Sequence, residues 1–271
     1  MMKRPFLQSY GAIGSLTDNH KRLCFAHRGG ASLWPENTLE AFRGALALGV
    51  THLESDLRQT RDGHLVLFHD ARVERVTNGR GYVHEHTLAE LQALDAGYRF
   101  YQDGGYPYRG RGVRIPTLEE VLDALPEARL NLELKGRSLA VGARLWQLIE
   151  HRQIHERLLV AAANDLSVQR FRELSRGQVA TSAGSRECLR FVVSVYTGTW
   201  RFITPEYDAL QLPLALGRLP VVTRRSIQIA HELGVQVHAW TVDDPETMRA
   251  LWRREVDGIM TDRPDLLMSS L

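Results

Sequence analysis

Cysteine is nearly missing from this chain: there are two in 271 residues, Cys24 and Cys188. They lie far apart and neither sits in a metal-type or redox-type spacing. Cys24 falls in the apolar run "LCFAH", where a buried free thiol is expected. A dominant charge is missing too, since 34 basic residues face 32 acidic ones for a net +2. The arginines are scattered, so no field argues for nucleic acid or an anionic membrane as partner. Nothing is apolar for long enough to span a bilayer. The start, "MMKRPFLQSYGAIGSLTDNHKR", is basic, but Gln8, Ser9, Gly11 and Gly14 break its apolar part, which makes a poor signal peptide. A soluble cytoplasmic protein acting on a small molecule is the expectation, with its oligomeric state open.

What the chain does have is a β–α cadence running almost from end to end. Short β-type runs fall at Leu23–His27, His52–Leu57, Leu130–Lys135, Arg157–Ala162, Gln178–Ala183, Asp208–Pro213, Val235–Thr241 and Asp257–Asp262. Helical stretches separate most of them, and eight such units predict an α/β fold of the (β/α)₈ TIM-barrel type. "ENTLEAFRGALALG" carries Asn37 as the expected N-cap, Glu40 three residues on, and Gly49 past its end. "PTLEEVLDALP" repeats the relation with Thr117 and Glu120 and stops before Pro126. From about residue 71 to 115 the cadence lapses into glycine, tyrosine and arginine, with one short helix at "TLAELQAL". This reads as a rim insertion after the second strand, within one barrel domain covering 1–271, and either a cover over the site or a solvated excursion.

One stretch, "LESDLRQTRDGHLVLFHD", is unusually rich in ionisable groups. "HLVLF" follows the second strand too closely for a parallel crossover, and Asp62-Gly63 between them is a type I′ hairpin signal. A two-residue loop there pairs Arg61 with His64 and brings His69 opposite Asp56. Residues two apart in a strand share a face. Glu54 and Asp56 therefore point together, as do Asn131, Glu133 and Lys135, while the intervening leucines suit a helix layer. Presenting these carboxylates to one lumen is costly unless something compensates. A divalent cation such as Mg²⁺ or Ca²⁺, held by Glu54, Asp56 and Glu133, would do so; simple ion pairs with Arg28 or Lys135 are the alternative. His27 and His69, at the ends of the first strand and of the hairpin arm, are candidates to divide acid and base roles about a phosphorus centre. Arg28 and Lys135 supply positive charge for phosphoryl oxygens.

The run "HRGGASLWPENTLEAFRGALALGVTHLESDLRQTRDGHLVLFHD" closely resembles the glycerophosphodiester phosphodiesterase family, whose pattern is His-Arg, Pro-Glu-Asn-Thr, Glu-x-Asp and a terminal His-Asp. The likeness continues through "VTNGRGYVHEHTLAELQALDAG", "RIPTLEEVL", "NLELK", "HAWTVDDPE" and "DGIMTDRPDLL", covering about Phe25 to Leu267. It implies a (β/α)₈ barrel with an insertion after the second strand. It also implies Glu54, Asp56 and Glu133 as metal ligands, His27 and His69 as the acid–base pair, and Arg28 and Lys135 as phosphate contacts. Trp240 looks like an apolar wall of the pocket, and Asn37 resembles a site-lining position, a role its helix cap explains equally well. Asp243 departs from the asparagine of many relatives; capping the following helix is its expected role. The activity implied is metal-dependent hydrolysis of glycerophosphodiesters to sn-glycerol 3-phosphate and an alcohol. The alternatives are a lysophospholipase D-like or sphingomyelinase D-like activity on lipids, which an apolar lip on the insertion would favour, and a non-catalytic phosphodiester binder.

Overall fold

A computed structural model describes residues 5–7, 22–136 and 139–271; the amino-terminal residues that argue against a signal peptide lie mostly outside them. The strands, in chain order, are β1 (Leu23–Ala26), β2 (His52–Gln59), β3 (Leu65–Leu67), β4 (Arg129–Leu134), β5 (Leu158–Ala161), β6 (Ala180–Thr181), β7 (Ala209–Pro213), β8 (Ala215–Leu216), β9 (Leu219–Pro220), β10 (Gln236–Trp240) and β11 (Gly258–Thr261). Eight of them run parallel in the order β6-β5-β4-β2-β1-β11-β10-β7. A bridge between Ser182 and Ala209 joins the two ends and closes the barrel. Every predicted strand run is present, each trimmed or extended by a residue or two at an end, and Gln178–Ala183 most of all, to Ala180–Thr181.

Around the barrel lie α1 (Leu39–Ala47), α3 (Leu118–Ala124), α4 (Leu139–Arg152), α5 (Asp165–Ser175), α6 (Ser185–Thr197), α7 (Arg224–Glu232), α8 (Pro245–Trp252) and α9 (Pro264–Ser269), while α2 (Leu88–Gln92) lies in the rim segment. Alternation explains the layering. Leu53, Leu57, Leu130, Leu132 and Leu134 turn outward into a fully apolar layer against the helices, and deleting one such buried leucine side chain costs about 2–5 kcal/mol. The alternate polar residues Glu54, Asp56, Asn131 and Glu133 are left to the lumen. No helix among the described residues is long and apolar enough to cross a membrane.

The floor of the lumen is apolar and aromatic, built from Phe6, Leu23, Phe25, Leu159 and Met260 among others. Residues 5–7 plug it: the Phe6 carbonyl accepts from Arg129 at 3.0 Å and the Leu7 carbonyl from Gln236 at 3.1 Å. His52 and His238 are buried beside Phe25. Burial, which disfavours the charged ring, pushes their pKa values down to about 3 and about 4.

Two local expectations are corrected. The hairpin register is shifted by one: Leu57 faces Leu67 and Gln59 faces Leu65, so Phe68, not His69, bonds across to Asp56 at 2.8 Å. Thr60 and His64 close a three-residue loop in which Gly63 alone takes a positive φ, +89°. A type I′ turn needs both central residues left-handed; Asp62 is instead engaged by the Thr60 hydroxyl at 2.6 Å and by the amide of Leu88 at 3.0 Å. The second correction is the α1 cap, which is Thr38, accepting from the amide of Ala41, rather than Asn37. At Thr117 the capping box with Glu120 forms as expected.

Residues 71–115 fold back on the hairpin. Val66 and Phe68 carry a small core of Val73, Val83, Leu91, Ala96, Val113 and Ile115, while Leu65 and Leu67, on the other face of the arm, join the barrel–helix layer.

Candidate active site

The mouth at the carboxyl ends of the strands opens into a cavity of about 600 Å³. His27, Arg28, Glu54, Asp56, His69, Glu133, Lys135 and Trp240 all line it. The parallel register sets Glu54 beside Asn131 and Asp56 beside Glu133, and one oxygen from each of Glu54, Asp56 and Glu133 falls within 4.8 Å of the others. Three carboxylates converging from two strands make a hard, oxygen-only donor set of the kind that suits Mg²⁺ or Ca²⁺.

The ion pairs of the simpler reading also form. Lys135 Nζ lies 3.0 Å from Asp56 and 2.8 Å from Glu133, and Arg28 Nε lies 3.4 Å from Asp56. Burial would raise the Asp56 pKa, but Lys135, Arg28 and His69 together hold it below the ordinary carboxylate range. Glu54 is different. It is buried, and among the described residues no lysine or arginine side chain pairs with it; it accepts the Arg28 amide at 3.1 Å and faces His27 Nε2 at 3.8 Å. Burial and the charge of Asp56 push its pKa up to about 7, because a buried carboxylate beside a like charge is costly to ionise.

Both histidines are oriented by carboxylates. His27 Nδ1 lies 2.7 Å from Asp262, and His69 Nδ1 lies 2.6 Å from Asp70. A ring nitrogen held this way fixes the orientation of the ring and leaves Nε2 for other contacts. Burial would lower the His27 pKa, yet Glu54 and Asp262 leave it raised. Arg58 grips the His69 carbonyl with Nε at 3.0 Å and a second nitrogen at 2.6 Å, which fixes the backbone where it leaves the ladder. Arg28 sits at φ +51° and is followed by Gly29 and Gly30 at +85° and +96°. Glycine is required there: a Cβ on Gly29 would meet Ala41 Cβ at 2.7 Å, and one on Gly30 would meet Pro264 at 2.8 Å.

Asn37, displaced from the cap, is buried at φ +57°. Its amide donates to Asp56 at 2.9 Å and its carbonyl oxygen accepts from Ser55 at 2.6 Å. Asp243 does not cap α8 either, since Asp244 does; Asp243 instead accepts from the Thr261 hydroxyl and the Asp262 amide, both at 2.8 Å. It thereby braces the residue that orients His27. The remaining wall of the cavity is mainly apolar, with Ala161, Ala162, Leu189, Val192, Leu212 and Leu216, and is interrupted by Ser182, Ser185 and Gln211. The apolar lip therefore stands on α6 and the β8–β9 hairpin, whereas the rim segment exposes tyrosines, Tyr82, Tyr101 and Tyr106.

The sequence profile of the glycerophosphoryl diester phosphodiesterase family matches residues 27–266. The chain belongs to that family. It is 37% identical over 255 residues to a probable glycerophosphodiester phosphodiesterase 2 of Mycobacterium tuberculosis, covering 92% of this chain and 90% of that protein. A glycerophosphodiester phosphodiesterase of Caldanaerobacter subterraneus is 31% identical, with 92% and 97% covered. Among solved structures, the glycerophosphoryl diester phosphodiesterase domain of a M. tuberculosis protein superposes with a TM-score of 0.80 at 22% identity, covering 92% of this chain and 98% of that one. An Oleispira antarctica phosphodiesterase, solved with the product sn-glycerol-3-phosphate, gives 0.74 at 24%, covering 92% and 96%. At these identities the two structures speak for the barrel fold.

Asp70, Asp262, Arg58 and Glu36 were not singled out from the sequence. Asp70 had a signal, its adjacency to His69. Asp262 is 235 residues from His27, and only barrel closure makes them neighbours.

Proposed function

We propose that this phosphodiesterase hydrolyses glycerophosphodiesters to sn-glycerol 3-phosphate and an alcohol, using a divalent cation held by Glu54, Asp56 and Glu133. The observation that carries the reading is the convergence of three carboxylates within 4.8 Å, one of them without a lysine or arginine partner, between two carboxylate-oriented imidazoles. When bound, the cation supplies Lewis-acid polarisation of the phosphoryl group and lowers the pKa of the attacking oxygen. Arg28, whose buried Nε has the 3.4 Å ion pair with Asp56 but no hydrogen-bond acceptor among the described residues, and Lys135 contact the phosphoryl oxygens. One imidazole of the His27–His69 pair takes the proton from the attacking hydroxyl as its oxygen bonds to phosphorus. The other gives a proton to the alcohol oxygen as the opposite P–O bond breaks. The attacking oxygen is either water or the neighbouring glycerol hydroxyl, and an analogue lacking that hydroxyl separates them: full turnover excludes an obligatory cyclic intermediate. Trp240, half-exposed at the mouth, forms the wall against which the glycerol carbons lie.

The test is glycerol 3-phosphate release from a panel of glycerophosphodiesters, with and without a chelator. Chelator-sensitive release is expected. No release with any divalent cation would favour a binder, and choline release from lysophosphatidylcholine in preference to glycerophosphocholine would move the substrate to lipids.

A further inference from the structure

The rim segment sends one side chain to the site from outside it. Arg75 donates to both oxygens of Glu36, at 2.7 and 2.6 Å, and to Asp70 through Nε at 2.6 Å and a second nitrogen at 3.3 Å. Glu36 also accepts from Arg28 at 3.1 Å, and Asp70 holds His69. Arg28, Glu36, Arg75, Asp70 and His69 thus form a continuous arc whose two ends reach into the cavity from different segments. The two Arg75 links, each made of two hydrogen bonds, fix an angle as well as a distance, because a guanidinium engages carboxylates through a planar fork.

We propose that Arg75 is a positioning residue for the reaction: by tying Glu36 to Asp70 it holds Arg28 and the His69 ring at a fixed separation across the substrate phosphate. The rim segment is then part of the catalytic frame. Arg75 touches no reacting atom and its side chain is 45% exposed, and exposed ion pairs contribute little to stability. Its worth lies in geometry, where displacement of about 1 Å can cost about 10²-fold in rate. Without it, Asp70 loses the neighbour that, with His69, keeps it ionised against its partial burial, and among the described residues Glu36 and Asp70 are held only by the single bonds to Arg28 and His69.

The inference rests on the phosphodiesterase reading with His69 as a participant, so the experiment begins with His69→Ala. Wild-type activity that survives His69→Ala sinks that reading. If His69→Ala is inactive, Arg75→Ala is expected to lower kcat by about 10²-fold with KM changed less than about threefold, and to leave the melting temperature within a few degrees. Arg75→Lys, which keeps charge without the fork, should fall between, and added guanidinium at non-denaturing concentration should restore part of the Arg75→Ala activity. In the Arg75→Ala/Asp70→Asn pair, the double variant should lose no more than the worse single one. Full kcat in Arg75→Ala beside an inactive His69→Ala overturns the proposal. So do losses that multiply in the double variant, or a loss that guanidinium and Arg75→Lys leave unrelieved.

Discussion

The two walls of the cavity follow opposite rules. The β1, β2 and β4 side is a network of buried and half-buried groups that are nearly all paired and oriented, from Asn37 on Asp56 to Asp262 on His27. The side built by β5, β7, α6 and the β8–β9 hairpin is mostly alanine, valine and leucine, with Ser182, Ser185 and Gln211 as its uncharged polar groups and no ionisable acid or base among its lining residues apart from Cys188. Chemistry at phosphorus needs atoms held to fractions of an ångström and charges kept out of water, whereas apolar contact with an organic group tolerates small changes in shape. One wall should therefore be intolerant of substitution and the other permissive.

The largest break in that contrast comes from the histidines: His27→Ala or His69→Ala is expected to lower kcat by about 10³-fold with the fold intact by circular dichroism. Near-normal rates in either would remove that histidine from the reaction. Next comes the carboxylate cluster. Mg²⁺ or Ca²⁺ at 100 times its dissociation constant should stabilise the wild type by about 2.7 kcal/mol, seen as a raised melting temperature, and Glu54→Gln should abolish the rise. Because Glu54 is the carboxylate without a lysine or arginine partner, the metal-free Glu54→Gln protein should melt no lower than metal-free wild type. A clear drop would mean that Glu54 is already satisfied. Asn37→Ala leaves Ser55 and one oxygen of Asp56 without their buried partner and should cost about 1–3 kcal/mol of stability in denaturant titration.

The contrast also runs vertically, between the ionised mouth and the neutral floor. His52 and His238 are held below their ordinary value of 6.5, at about 3 and about 4. Above pH 6.5 both folded and unfolded forms are neutral, and their contribution is fully present. As pH falls from 6.5 toward 4, the unfolded chain takes up protons that the folded one refuses, so stability declines. Melting temperature should drop between pH 7 and 5, with a shallower slope in His52→Asn; an unchanged slope would mean that His52 charges in place. The smallest effect is expected on the permissive wall. Leu189→Ala should change kcat for glycerophosphoethanolamine less than about threefold, and a large loss would show that this wall, too, is built to tolerance.

The barrel was legible because its signals are local. Leucines alternating with Glu54, Asp56, Asn131 and Glu133 announce both the strand and the face that points inward, and the Thr117–Glu120 spacing announces a helix start. Asn37 and Asp243 misled for one reason. Each stands just before a better cap, Thr38 and Asp244, and a polar side chain with two possible partners goes to whichever its burial makes more costly to forgo. The hairpin register turned on the side chain of Asp62, claimed by Thr60 and by Leu88 in α2, which no count along the two arms includes.

Sequence alone determined the β–α alternation, the inward carboxylates and the family, because backbone geometry between near neighbours imposes a period that side chains must follow. Tertiary structure decided which groups orient the imidazoles, where Asn37 spends its amide, and that Arg75 in the rim segment reaches Glu36, 39 residues away. Those choices depend on competition among donors and acceptors that meet only once the barrel closes.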